Sequence, residues 1–276
     1  MNLYKIMTDI EHVDLEFKER INPRRATIKA MNSFGAKVAF SALPLAVASL
    51  FKKAYGQTLP QQIVDVLNFA LTLEYLEAAF YTKALNSGGL INDSGARAAI
   101  TVIKTHEDEH VAFLKNALGS KAVGKPNFDF TAGGTFSDVF SNYDMFLAVA
   151  NAFEDTGVRA YKGQAGNLMA NDDILRYALN IHSVEARHAS HIRQMRRSRG
   201  GAAASLKPWI TGANDTGVSA VDPVYAGEDN KIQAEVDITS FNGISGKISL
   251  QAATEAFDEP LTKEAVLQIA SLFITS

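Results

Sequence analysis

Four glutamates interrupt four apolar stripes in this chain. Glu74 has Leu67, Ala70, Leu71, Ala78 and Tyr81 at helical spacing around it. Glu107 has Ile100, Ile103, Val111 and Leu114; Glu154 has Leu147, Ala150, Val158 and Tyr161; Glu185 has Ala178, Ile181, Ala189 and Ile192. Residues so spaced share one helix face, and an apolar face is turned to a core. A lone ionised carboxylate there costs several kcal/mol, or its pKa shifts until it is neutral. Four carboxylates pooled around cations escape that penalty. A fold is therefore required that brings four helices together with these glutamates at one level.

Two of the glutamates carry a histidine three residues later, Glu107 with His110 and Glu185 with His188. Positions i and i+3 lie on one helix face, so each pair can hold one ion jointly. One such pair is common on a solvated helix. Two pairs, together with inward-facing Glu74 and Glu154, match the di-metal helical-bundle pattern of a Glu from each of two helices and a Glu-x-x-His from each of the others. The six candidate ligands are Glu74, Glu107, His110, Glu154, Glu185 and His188.

The helix signals agree. A first helix is expected over about 60–85, stopped by Asn86-Ser87-Gly88-Gly89. A second begins at Asp93-Ser94 and ends at Leu118-Gly119. A third runs from about Tyr143 to Met169, and a fourth from Asp172-Asp173 to an arginine-rich end before Gly200-Gly201. The connections are short, long, short: two helical hairpins joined by one long crossover. The halves echo each other, because Glu74 and Tyr81 are seven apart and so are Glu154 and Tyr161. Gly157, Gly163 and Gly166 weaken the third helix or allow close packing against it.

Residues 60–200 resemble the ferritin-like superfamily. The stretch Leu67-Asn68-Phe69-Ala70-Leu71-Thr72-Leu73-Glu74-Tyr75-Leu76-Glu77-Ala78-Ala79-Phe80-Tyr81 is similar to a bacterial and fungal branch that includes desiccation- and stress-related proteins. The resemblance implies an all-α, ferritin-like four-helix bundle with its long crossover between helices 2 and 3. It implies two divalent ions, iron or manganese, with Glu107 and Glu185 bridging them. Glu77 is an alternative or additional ligand to Glu74. His182 is the best spare histidine, with His106 and His191 flanking the motifs. Tyr81 and Tyr161 are placed to donate hydrogen bonds to ligand carboxylates. The function so implied is redox chemistry toward oxygen or peroxide, or metal handling in stress protection. The alternative is a non-catalytic stress or desiccation-related protein on the same scaffold.

Composition narrows the remaining classes. The chain has no cysteine, which removes disulfides, thiolate metal sites and cysteine nucleophiles. A net charge of -3 gives no electrostatic footprint for nucleic acid. Residues 1–57 are basic, with nine Lys/Arg against five Asp/Glu. There Arg24-Arg25 precedes an uncharged run, Val38 to Phe51, and the small residues of Ala54-Tyr55-Gly56-Gln57. That order resembles a twin-arginine export signal, with no stable membrane span once it is removed; a cytoplasmic protein with an amphipathic N-terminal helix is the alternative. Three segments are expected: 1–57 as signal or extension, 58–200 as bundle, and 201–276 as a loop-rich extension packed on the bundle. The last ends in a helix over about 262–273; 232–241 could read as a strand, but one lone strand would not stand, so loop is expected there. Metal ions are the expected partners, and a homo-oligomer is compatible with the sequence.

Overall fold

The structure is a computed structural model, described over residues 59–213, 218–244 and 246–275. The segment read as an export signal lies outside these residues. Four long helices dominate: α1 (Gln61–Asn86), α2 (Ser94–Leu118), α3 (Tyr143–Ala165) and α4 (Asp172–Arg199). Their ends are set by local chemistry. Asp93 caps α2 by accepting the Ala96 N–H at 2.7 Å. Asn142 accepts from Asp144 and Met145 at the start of α3, and Asn171 from Ile174 at the start of α4. Gly119 ends α2 and Gly200 ends α4 with φ of 58° and 76°, a backbone conformation that a side chain disfavours. The third helix stops at Ala165, four residues before its expected end, and Gly166–Leu168 tightens into a 3-10 turn.

α1 packs principally on α2, and α3 on α4, so the molecule contains the two expected hairpins. The crossover, 119–142, is long enough to carry the chain from one hairpin to the other. An Asp129-centred turn organises it, the carboxylate accepting the N–H groups of Thr131 and Gly133. Between the hairpins, near the C-terminal end of α1, Phe80 meets Phe146, Phe153, Phe130 and Phe140, all with ring centroids 5.0–5.4 Å away. This aromatic layer ties α1, α3 and the crossover together.

The C-terminal extension is mostly turns and two-residue strands, with two short helices, α5 (Leu250–Thr254) and α6 (Lys263–Ala270). The stretch 232–241, strand-like in sequence but expected as loop for want of a partner, folds back on itself. β2 (Ile232–Gln233) pairs antiparallel with β3 (Val236–Asp237) through a turn that puts Ala234 and Glu235 at positive φ. Ala270 ends α6 three residues before its expected end, because 274–275 turns to pair with 127–128 of the crossover.

Three places illustrate how the extension is seated on the bundle. Phe273 packs edge-on against Phe153 at 4.8 Å and stacks with Phe136 at 5.9 Å. The Leu261 carbonyl sits so close to Gly163 that a Cβ there would lie 1.9 Å from its oxygen, so only glycine fits. Arg159, fully buried on α3, donates to the carbonyls of Val224, Ala226 and Glu259 and pairs with Glu228 at 2.7 Å. Among the described residues no helix is long and apolar enough to cross a membrane.

Candidate metal centre

Each long helix delivers its share to one level of the bundle. Glu74, Glu107, Glu154 and Glu185 have no exposed surface, and His110 and His188 are buried. The stripes around them are buried with them, including Leu71, Ile100, Leu147 and Ile192, each fully. All six candidate ligands come together, in two overlapping groups whose atoms lie within 4.8 Å of one another. Glu74, Glu107, His110 and Glu185 form the first; Glu107, Glu154, Glu185 and His188 form the second.

The individual oxygens resolve the overlap. His110 Nδ1 lies 3.1 Å from Glu74 Oε2, from Glu107 Oε2 and from Glu185 Oε1. His188 Nδ1 lies 2.9 Å from Glu107 Oε1, 3.3 Å from Glu154 Oε2 and 3.6 Å from Glu185 Oε2. Glu107 and Glu185 thus give one oxygen to each histidine group. Glu74 serves only the first and Glu154 only the second.

The donor set fits a pair of cations. His188 Nδ1, Glu107 Oε1, Glu154 Oε2 and both Glu185 oxygens are buried without a hydrogen-bond partner, despite their short separations. They converge on common points and are misaligned for bonding one another. An ion with bonds of about 2.1 Å sets neighbouring octahedral ligands roughly 3.0 Å apart. The nitrogen–oxygen separations here, 2.9–3.6 Å, are of that size. Oxygen-rich donors with one imidazole per group suit hard to borderline metal cations, and a thiolate-free set disfavours softer ions.

Contacts from outside the cluster orient its members. Tyr81 donates to Glu154 Oε1 and Tyr161 to Glu74 Oε1, leaving Oε2 of each glutamate turned toward its histidine. The tyrosines cross over, each holding the glutamate of the other hairpin. His106 Nδ1 lies 2.9 Å from His188 Nε2, with the two rings stacked at 5.2 Å, so the opposite ring nitrogen of His188 faces the carboxylates. His182 instead contacts the Val158 carbonyl at 2.9 Å and stands outside both groups, and His191 is exposed.

Burial dominates the electrostatics. It pushes Glu74 up to about 8 against the opposing pull of His110, and pushes Glu154 and Glu77 well above the carboxylate range. Burial would raise Glu107 and Glu185 too, but the adjacent imidazoles outweigh it and hold both below their ordinary value. Burial would lower the histidines, yet the carboxylates push His188 up to about 12 and His110 well above its ordinary value. The imidazoles thus favour the charged forms of Glu107 and Glu185, and burial favours the neutral forms of Glu74, Glu77 and Glu154. A cation entering such a cluster displaces protons.

The buried Asp155 escaped the sequence reading. It accepts from Arg193 at 2.6 Å, Tyr225 at 2.7 Å and Asn151 at 2.6 Å. An acidic residue next to Glu154 gave no signal of its own, because two of its partners, Arg193 and Tyr225, come from α4 and the extension. Gly157, noted only for packing, faces the site: a Cβ there would meet Glu77 Oε1 at 3.4 Å and Glu185 Oε2 at 3.6 Å.

Residues 62–198 match the model of the ferritin-like domain family. No curated protein and no solved structure matches the chain. The matched span covers the four bundle helices to within one residue at either end and all six converging side chains, and these residues form a ferritin-like domain.

Proposed function

We propose that this chain is a di-metal carboxylate protein that binds two iron or manganese ions and uses them in oxygen or peroxide chemistry, or in metal handling, during stress protection. The observation that carries this reading is the sharing of Glu107 and Glu185 between two otherwise separate histidine groups. Ions held by these residues would supply one-electron redox steps at two adjacent centres.

The chain's own residues set the terms. Glu107 and Glu185 hold the two centres close together, and Glu74 and Glu154 close each centre from one side. Tyr81 and Tyr161 fix the outer oxygens of Glu154 and Glu74, so those carboxylates cannot rotate freely. His106 holds the orientation of His188 and, being half-buried, links its ring to the surface. The Phe80 layer and the apolar stripes keep water from the carboxylates and strengthen their pull on a cation.

Complete burial of the four glutamates equally supports a non-catalytic role, in which ions are held for stability or kept from harmful reactions. The order of basic residues, apolar run and small residues in 1–57 supports export by the twin-arginine route, which carries folded, loaded protein.

Metal content per chain, measured by elemental mass spectrometry on tag-free protein, tests the reading. Two iron or manganese ions per chain, lost in the Glu107→Gln/Glu185→Gln double variant, is the expected result. A double variant that keeps the full content overturns it. Turnover of ferrous iron or peroxide by the loaded protein then separates redox from storage.

A further inference from the structure

The centre meets its surroundings differently on two sides. Toward α2 and α4, the half-buried His106 touches His188. Toward α1 and α3, the C-terminal extension is the cover. A cavity of about 10 Å3 lies there, walled by Leu73 and Leu76 of α1, Phe153 of α3, and Ile269 and Ala270 of α6. Each of these side chains is buried. The space is room for about one water.

Water is a poor occupant. A buried water needs about two to four polar partners. Two polar side chains reach the wall, those of Thr156 and Glu77. The Thr156 hydroxyl is already donated to the Ala152 carbonyl, at 2.6 Å. The main chain of all three walls is helical, so its polar groups are spent within their own helices. That leaves the Glu77 carboxyl alone, too few partners for a water and none of opposite charge for an ion. Gly157 also lines the cavity, and a Cβ on it would lie 3.6 Å from Glu185 Oε2. The missing side chain thus leaves the cavity beside an oxygen of a shared carboxylate, one that is buried without a hydrogen-bond partner.

We propose that this cavity is a holding site for a small uncharged molecule of the dioxygen class, closed by the terminal helix of the extension. The inference deepens the reading of a two-ion oxygen or peroxide centre and rests on it for its use. Hydrogen peroxide carries two O–H donors and meets the same shortage of partners as water, so the site selects oxygen over peroxide.

Dioxygen itself is the probe. It is paramagnetic and speeds the relaxation of nuclei beside which it dwells. Full-length, metal-free protein with isotope-labelled leucine and isoleucine methyls is followed by NMR under nitrogen and under oxygen pressure. The methyls of Leu73, Leu76 and Ile269 are expected to gain at least about twice the relaxation of the buried methyls of Ile100, Leu147 and Ile192. Ala270→Val, which adds bulk to the wall, should bring the three down to the level of the controls. Ile269→Ala, which widens the cavity, should raise the effect at Leu73 and Leu76, and it carries the comparison if Ala270→Val fails to fold. No excess in wild type, or an excess that survives Ala270→Val, overturns the holding site and leaves the two-ion reading to its metal content. An excess in a chain that elemental analysis finds unable to hold metal supports the site and overturns the two-ion reading.

Discussion

Tyr161, on α3, donates its hydroxyl to Oε1 of Glu74, on α1, and so reaches from one helical hairpin to a candidate ligand on the other. Tyr81 makes the reciprocal contact with Glu154. Removing either hydroxyl frees a glutamate to rotate and leaves its oxygen buried without a partner. Tyr81→Phe and Tyr161→Phe are expected to weaken metal binding by about tenfold each and to destabilise the metal-free protein by about 1–3 kcal/mol. Manganese titration and urea unfolding check both. The two variants should behave alike, because the contacts are equivalent by the internal two-fold.

His106 has no such equivalent. It contacts only His188, at 2.9 Å, and nothing matching it contacts His110 among the described residues. His106→Ala should therefore impair the His188 centre more than the His110 centre. Stepwise titration is expected to show one ion bound as in wild type and the second weakened by about tenfold or more. Uniform weakening of both steps would show that His106 does not act through His188.

Asp155 pairs with Arg193, and both are buried. Breaking a buried pair leaves an uncompensated charge. Asp155→Ala is expected to cost about 3–5 kcal/mol, read as a lower urea midpoint. Its effect should reach the extension too, since Tyr225 bonds to the same carboxylate.

Gly163→Ala places a methyl group 1.9 Å from the Leu261 carbonyl oxygen. Backbone has to move, so the extension is expected to lift from α3. Faster proteolysis within 201–276, with the bundle core protected, would register this, at a stability loss of about 1–3 kcal/mol.

Glu228 gives the extension a pH dependence. Burial lifts its carboxyl from 4.5 to about 7, against the pull of Arg159. A carboxyl raised in the folded state takes up a proton on folding. Its contribution to stability is full below about 4.5 and is lost as pH rises through about 7. Proteolysis of the extension should therefore be slower at pH 5.5 than at pH 8. Glu228→Gln should flatten that difference.

The bundle was legible because its signals are local. Asp93, Asn171 and the glycines at helix ends mark boundaries within a few residues, and helical periodicity marks the inward faces. The convergence of the six candidate side chains was legible for a related reason, since buried acids inside apolar stripes need a common solution. The extension was not, because its order comes from distant partners. Arg159 is satisfied by carbonyls of residues 224, 226 and 259, and β6 (Ile274–Thr275) finds its partner in β1 (Asn127–Phe128). Neither strand is long enough to show a period. The pairing of β2 with β3 depends on Ala234 and Glu235 at positive φ, residues that do not advertise a turn.

Both histidine groups draw on three helices, and Glu185 of α4 belongs to each. During synthesis, therefore, the emerging chain presents no finished coordination site until the last of the four helices has left the ribosome. An early hairpin of α1 and α2 can offer at most Glu74, Glu107 and His110. Any ion held by this full set of side chains would therefore have to wait for the completion of the bundle.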